Sequence, residues 1–310
     1  MSERRFDDRV AVITGAGRGL GRAYALLLAS LGARVVVNDP GVSVHGDSPV
    51  DAGPAQQLVN EISAAGGTAI ANTDTVATEA GGQAIIEAAM DHYGAFDVLI
   101  HNAGNVRYGS LEEISHQDFM AVLNVHLLGA FNVVRPAFPR MAAANYGRIV
   151  LTSSIGGLYG TQQVANYGTA KAGTIGLNNV IALEGADKGI KSNIILPGAV
   201  TRMAEGLDIS QYPPMGPELV APVVGYLAHE SCAVTGELYI AMAGRVARAF
   251  IAETAGVYRP HWTIDSIAEQ LDAIRDEGKL WHLPPVPNGY RDHLGRSFAM
   301  AKRGAEPKES

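Results

Sequence analysis

The stretch that most restricts the fold is Thr14-Gly15-Ala16-Gly17-Arg18-Gly19-Leu20-Gly21. It follows an apolar run, Arg9-Val10-Ala11-Val12-Ile13-Thr14, that reads as a short buried strand. It opens a segment, Leu20 to Leu31, with apolar residues at helical spacing. A glycine cluster between strand and helix permits a tight turn and a close approach of backbone to a ligand. The next strand, Ala33-Arg34-Val35-Val36-Val37-Asn38, follows at once.

That alternation continues along the chain. Strands are expected near 9–14, 33–38, 67–72, 96–101, 147–153, 190–196 and 237–242. Helices are expected near 19–31, 51–65, 79–93, 116–144, 165–187 and 217–229. Ser115 and Asp118 supply an N-cap hydroxyl and a first-turn acid for the fourth of these. The pattern calls for a doubly wound α/β fold, a parallel seven-stranded sheet with helices on both faces. The 310 residues fit one such domain over 1–245 and an extension over 246–310. With 47% apolar residues the chain can bury a sizeable core. The extension holds Phe250, Tyr258, Trp262, Trp281 and Tyr290, and a helical pattern from Ile264 to Ile274. Past Gly289 it turns polar and reads as disordered.

The strand–turn–helix context is the one a dinucleotide site requires. Pyrophosphate can sit against the N-terminus of the helix, where backbone N–H groups are free. Asp39 closes the second strand. A carboxylate there accepts hydrogen bonds from ribose hydroxyls and repels a 2′-phosphate, which favours NAD over NADP. Arg18 pulls the other way, because a basic residue could meet that phosphate. The repulsion is the more direct effect, so NAD is expected. The loop Pro40 to Gly53, rich in Gly, Pro, Asp and Ser, is expected near the adenosine end.

Tyr167 and Lys171 stand four apart in Asn166-Tyr167-Gly168-Thr169-Ala170-Lys171, so on a helix they share a face. A free phenol titrates at about 10. A nearby ammonium lowers that value, and a tyrosine tuned this way can exchange a proton with a carbonyl or alcohol oxygen. Taken alone, such a pair is far more often an ordinary surface pair on an amphipathic helix, and its context is what changes that reading. Ser154 ends the apolar run Arg148-Ile149-Val150-Leu151-Thr152-Ser153-Ser154. Open α/β sheets bind ligands at that edge, and a serine there can hold a substrate oxygen; it can also simply turn the chain.

Taken in order, these segments with Asn102-Ala103-Gly104, Asn124 and Pro197-Gly198 resemble the short-chain dehydrogenase/reductase family over roughly residues 7 to 245. The resemblance implies a catalytic tetrad. Ser154 orients the substrate oxygen and Tyr167 is the acid/base. Lys171 lowers the tyrosine and holds the nicotinamide ribose. Asn124 interrupts its helix and holds a water in a proton relay. The resemblance further assigns the cofactor to Gly15, Arg18, Gly19, Leu20, Gly21 and Asp39, with Asp74 and the backbone near Val76 on the adenine. Asn102, Ala103 and Gly104 line its floor. Backbone near Pro197, Gly198 and Val200, with the Thr201 hydroxyl, holds the nicotinamide amide. Asp74 reads equally well as a plain loop aspartate.

The loop after Asp39, Tyr146-Gly147-Arg148-Ile149, Ala165-Asn166-Tyr167, His229-Glu230-Ser231-Cys232 and the C-terminal helix resemble one subgroup. It is the (3R)-hydroxyacyl-CoA dehydrogenase part of the peroxisomal multifunctional β-oxidation enzyme, whose members also oxidise steroid alcohols. That implies a 3-hydroxyacyl-CoA or steroid substrate, with a 3-oxoacyl carrier-protein reductase and a non-catalytic cofactor-binding protein as further alternatives. It also implies a homodimer or homotetramer paired through the helices near 116–144 and 165–187, and a substrate lid over Met203 to Gly216.

Bulk properties exclude other classes. The 24 basic and 31 acidic residues give net charge −7, with no basic tract for nucleic acid. One cysteine, Cys232, excludes an intrachain disulfide framework. The nine histidines show no metal-ligand spacing, and His101 reads as a packed imidazole. No apolar run is expected to reach the roughly 18 residues of a membrane span. The start lacks a secretory pattern and the end lacks a Ser-Lys-Leu address, so a cytoplasmic protein is expected.

Overall fold

The chain lays down β1 (Val10–Thr14), α1 (Gly19–Ser30), β2 (Arg34–Asn38), α2 (Gly53–Ala64), β3 (Thr68–Asn72), α3 (Glu79–Tyr93) and β4 (Val98–His101) in strict alternation. There follow α4 (His116–His126), α5 (Leu128–Ala143), β5 (Gly147–Thr152), the short α6 (Ile155–Tyr159), α7 (Ala165–Gly185) and β6 (Ile190–Gly198). Then come α8 (Ala221–Ala228), β7 (Leu238–Met242) and β8 (Arg245–Ala249). The computed structural model describes residues 4–200 and 213–305. Thr201 and the part of the expected lid from Met203 to Tyr212 lie outside the described residues.

The sheet has eight strands in the order β3-β2-β1-β4-β5-β6-β7-β8. The first seven pair in parallel throughout. The eighth strand corrects the expected count. Ala243 and Gly244 both take positive φ, 49° and 80°, and turn the chain back in a two-residue hairpin. β1, β4 and β5 are buried at every position, as a sheet covered on both faces requires. Ala11, Ile13, Val35, Val37, Val98 and Ile100 face one layer with Tyr24, Leu28, Leu58, Ile62, Val224 and Leu227 of α1, α2 and α8. The alternate residues meet α3, α5 and α7. Truncating a fully buried residue such as Ile100 to alanine costs about 2–5 kcal/mol.

The helix expected over 116–144 is two helices, broken at Leu127. Ser115 caps α4, its hydroxyl accepting from the Asp118 N–H at 3.0 Å. By length and composition His116–Ala143 is apolar enough to cross a membrane, contrary to expectation. Here it forms the paired helices α4 and α5, packed against α7 and α3.

Two segments of the subgroup resemblance meet away from the ligand-binding edge. The Arg148 guanidinium donates to the His229 carbonyl at 3.2 Å and the Glu230 carbonyl at 3.1 Å. It also reaches Gly147 at 2.8 Å and Gly189 at 3.1 Å. A buried arginine thus satisfies the carbonyls that follow α8, a structural duty.

The chain divides into two compact units, 1–248 and 249–310. The second holds β9 (Ala252–Thr254), α9 (Ile264–Glu269), α10 (Leu271–Ile274), β10 (Leu280–His282) and α11 (Gly289–Ala305). β9 and β10 pair antiparallel. Thr263 and Ser266 form a reciprocal capping box on α9. The segment past Gly289 is helical to Ala305 rather than disordered. Its charges suit the helix dipole, with Asp292 in the first turn and Lys302 and Arg303 in the last. His293 pairs with Glu253 of β9 at 3.0 Å and ties the helix down.

Candidate active site

The candidate residues gather at the C-terminal ends of β1, β2, β4, β5 and β6, where open α/β sheets hold ligands. In the glycine turn, Gly15 and Gly19 take positive φ, 61° and 55°. A Cβ on Gly21 would lie 2.3 Å from the Gly15 carbonyl oxygen. Arg18 is the N-cap of α1 in extended conformation and gives no side-chain cap. Leu20 is half-buried in the first turn. The first-turn N–H groups of a twelve-residue helix are therefore open to an anion.

Asp39 is buried, and both carboxylate oxygens are in use. One accepts from the Gly17 N–H at 2.9 Å and the other from the Gly41 N–H at 2.7 Å. Asn102 braces the turn from β4, its amide donating to the Gly15 carbonyl at 3.0 Å. The Thr14 hydroxyl accepts from the Asn102 and Ala103 N–H groups, each at 3.1 Å. That duty of Thr14 was not legible in sequence. Asn72 holds the Asp74 carboxylate at 2.7 Å, and Asn38 holds the Asp74 carbonyl at 2.8 Å. The Val76 carbonyl accepts from Asn132 of α5 at 2.9 Å.

The Pro40–Gly53 loop reaches further than expected. The Val106 N–H donates to the Val44 carbonyl at 3.1 Å, and His45 donates to the Val106 carbonyl at 3.0 Å. Arg107 pairs with Asp47 at 3.0 Å. Because β1 lies between β2 and β4 in the sheet, this loop spans the end of β1 beside the glycine turn.

On the other side of the switch point, Tyr167 and Lys171 share one face of α7. The Lys171 nitrogen is 5.5 Å from the centre of the Tyr167 ring. Its ammonium donates to the Thr152 carbonyl at 2.5 Å. Ser154 caps α6, accepting from the Gly156 N–H at 3.1 Å. A Cβ on Gly157 would come within 2.8 Å of the Lys171 backbone, so α6 packs closely on α7. Asn166 fixes the start of α7 by donating to the Arg107 carbonyl at 3.1 Å.

Burial governs the titrating groups. It pushes the Tyr167 phenol above its ordinary value, against a hydrogen bond from Ser154. It pushes Lys171 down to about 7. Against the expectation that Lys171 lowers it, the Tyr167 phenol is raised, because desolvation is the largest influence on it.

Asn124 lies in the last turn of α4, two residues before His126 and just ahead of the break at Leu127. The helix breaks after His126, and it is the His126 ring that meets Tyr167, with centroids 5.3 Å apart and planes at 83°. His101 is packed, as expected. It is buried, accepts from Thr14 at 3.1 Å and is pushed down to about 3 by burial.

At the end of β6, Pro197 and Gly198 pair with Ala241 and Met242 of β7. The Val200 N–H donates to the Met215 carbonyl at 2.7 Å. Among the described residues no cluster of side chains could hold a metal ion.

This geometry can be compared with known proteins. A family profile described as short chain dehydrogenase matches residues 9–209. The chain belongs to the short-chain dehydrogenase/reductase family. It is an oxidoreductase acting on CH–OH donors, and the cofactor of the family is NAD(P). The chain is 43% identical over 289 residues to the peroxisomal multifunctional enzyme type 2 of Drosophila melanogaster, covering 91% of itself and 48% of that relative. The solved structure of that full-length fly enzyme matches with TM-score 0.79 at 37% identity, over 96% of this chain and 50% of that one. The chain thus spans about half the length of this relative. A short chain dehydrogenase from Mycobacterium avium matches with TM-score 0.76 at 36% identity, over 87% of this chain and 95% of that one. The glycine turn, the open N-terminus of α1 and the carboxylate at the end of β2 fit a dinucleotide.

Proposed function

We propose that this short-chain dehydrogenase uses NAD to interconvert a secondary alcohol and a ketone, and that its substrate is of the 3-hydroxyacyl-CoA type. The observation that carries the first half is the meeting of Ser154, Tyr167 and Lys171 at the sheet edge that holds the glycine turn. The second half draws on the likeness to the fly multifunctional enzyme. A bound nicotinamide supplies the hydride acceptor. Ser154 orients the substrate oxygen. Tyr167 takes the hydroxyl proton as the carbon gives up its hydride, and returns one to the carbonyl oxygen in reduction. Lys171 takes up and releases a proton beside it, and holds the nicotinamide ribose.

The pyrophosphate would lie on Gly15, Arg18, Gly19, Leu20 and Gly21, and the adenosine ribose on Asp39. Asp74 and Val76 would take the adenine, and Asn102, Ala103 and Gly104 the floor of the site. Pro197, Gly198, Val200 and Thr201 would take the nicotinamide amide. Asp39 supports NAD over NADP, because its buried carboxylate repels a 2′-phosphate.

Exposed apolar residues Leu128 and Phe131 on α5, with Val180 and Leu183 on α7, support a homodimer or homotetramer built through these helices. Elution as a monomer at working concentration would reject it. The cytoplasmic reading stands as a proposal beside a relative whose name is peroxisomal, and fractionation of the host tests it. Hydroxysteroid oxidation and carrier-protein ketone reduction use the same machinery and are the rival substrates. Steady NADH formation from a secondary alcohol, lost in Tyr167→Phe, supports the proposal. Cofactor binding without turnover of thioesters, steroids or simple alcohols overturns it.

A further inference from the structure

Residues 105–109, between β4 and α4, join the two halves of the site. On the cofactor half they meet the loop that follows Asp39. The Val106 N–H donates to the Val44 carbonyl, and His45 donates to the Val106 carbonyl. A Cβ on Gly46 would lie 3.3 Å from the Asn105 amide nitrogen, so the loop rests on that side chain. On the catalytic half the same residues meet the start of α7. The Gly109 N–H donates to the Gln163 carbonyl at 2.9 Å, and Gly109 bridges Val164 in parallel. Tyr167 stands three residues further on.

Two side chains carry the junction. The Arg107 guanidinium lies between two carboxylates, 3.0 Å from Asp47 of the loop and 3.5 Å from Asp118 in the first turn of α4. The Ser43 hydroxyl, then Arg107, holds the Asp47 carboxyl below its ordinary range, so the pair is charged at neutral pH. Asn166 is fully buried. Its amide donates to the Arg107 carbonyl at 3.1 Å and to the Asp118 carbonyl at 3.4 Å. Its own carbonyl accepts the Tyr167 N–H at 2.7 Å. That N–H belongs to the first turn of α7, where the helix offers it no partner.

We infer that Arg107 is a positioning residue for Tyr167, acting through Asn166, and that Asp47 of the cofactor-side loop holds Arg107 in place. A tyrosine that takes a proton as hydride leaves must stay within hydrogen-bond reach of the substrate oxygen. A displacement of about 1 Å can slow such a step by about 10²-fold. The groups that fix Asn166 therefore set the rate of the chemical step, although none of them touches the reacting atoms. This role rests on Tyr167 as the proton acceptor, so its test includes a readout that needs no turnover.

That readout is hydrogen exchange of the full chain without cofactor, followed by mass spectrometry. Asp47→Ala and Arg107→Lys should each quicken exchange over residues 163–168 and leave residues 15–21 unchanged. The kinetic readout is the single-turnover rate of NADH formation at saturating NAD, on an alcohol that the wild type oxidises. Asp47→Ala should lower that rate by about three- to tenfold, the modest scale of an exposed ion pair, and keep the KM for NAD. Arg107→Lys keeps the charge but not the fork that spans two carboxylates, and should lower the rate at least as far. Asp47→Glu should restore it. A raised KM for NAD with a wild-type single-turnover rate in Asp47→Ala would show a loop that serves only the adenosine end, and overturns the proposal. Unchanged exchange over 163–168 in both variants overturns it too, as does an Asp47→Glu rate no better than that of Asp47→Ala. If Arg107→Lys does not fold, Asp47→Ala carries the test, since the Asp47 side chain is 55% exposed. A wild type that oxidises no alcohol counts against the dehydrogenase reading, and the exchange result then decides whether Arg107 and Asp47 hold the start of α7.

Discussion

The Lys171 nitrogen lies 5.5 Å from the centre of the Tyr167 ring, one helical turn along α7, and burial shifts the two groups in opposite senses. The phenol is pushed up and the amine down to about 7. As pH rises, Tyr167 gains phenolate, the form that accepts the hydroxyl proton. Alcohol oxidation should therefore speed up from neutral pH toward the ordinary phenol value of about 10, while ketone reduction, which uses the protonated phenol, should stay nearly level because the phenol titrates above that range. Initial rates in both directions across that range check this, and a flat oxidation profile contradicts it.

Tyr167→Phe removes the proton acceptor and keeps the ring that His126 touches. Turnover should fall by about 10²–10⁴-fold. Cofactor affinity, read by fluorescence titration, should stay near wild type. Retained turnover would take the tyrosine out of the mechanism.

Lys171 also makes stability depend on pH. Its folded value of about 7 lies below the ordinary lysine value of 10.5, so between the two the unfolded chain binds more protons. The penalty for burying this lysine is full below about 7 and fades as pH climbs to 10.5. Lys171→Met should be the more stable protein at neutral pH, by an amount on the order of a few kcal/mol. That advantage should shrink in alkali. Thermal melts of both proteins at the two ends of the range test it, and an advantage that does not change with pH refutes it.

Asp39 has a structural duty beside its proposed cofactor duty, because it accepts the N–H groups of Gly17 and Gly41. Asp39→Ala should cost about 1–3 kcal/mol for the acceptor lost to a buried donor. It should also narrow the gap between the KM values for NAD and NADP. A variant with wild-type stability and wild-type preference would remove Asp39 from both roles.

The fold was legible because a parallel sheet buried on both faces needs near-continuous apolar strands, and Val10–Thr14, Val98–His101 and Gly147–Thr152 are such runs. The eighth strand was not, because its edge residues Arg245 and Val246 are exposed and Ala243-Gly244 is a weak hairpin signal. Neither Gly nor Pro marks the break at Leu127, while Pro136 and Pro139 lie inside α5 without ending it. Asn124 came from the family resemblance. The contact of His126 with Tyr167 was not read in advance, although His126 continues the buried stripe from Val122 toward Gly129 and Ala130. Tyr167, Lys171 and Ser154 could be read from their spacing only together with the glycine turn and the family resemblance. Their pKa shifts could not, because burial depends on how α6 and α7 pack against β5.

The account turns most directly on NADH formation from a (3R)-3-hydroxyacyl-CoA, set against its (3S) epimer and a 17β-hydroxysteroid, each with NAD and with NADP. Turnover of the (3R) thioester with NAD, well above every other combination, is the predicted result. Turnover confined to the steroid, or equal efficiency with NADP, would contradict the substrate or the cofactor assignment respectively. Silence across the whole panel would contradict both.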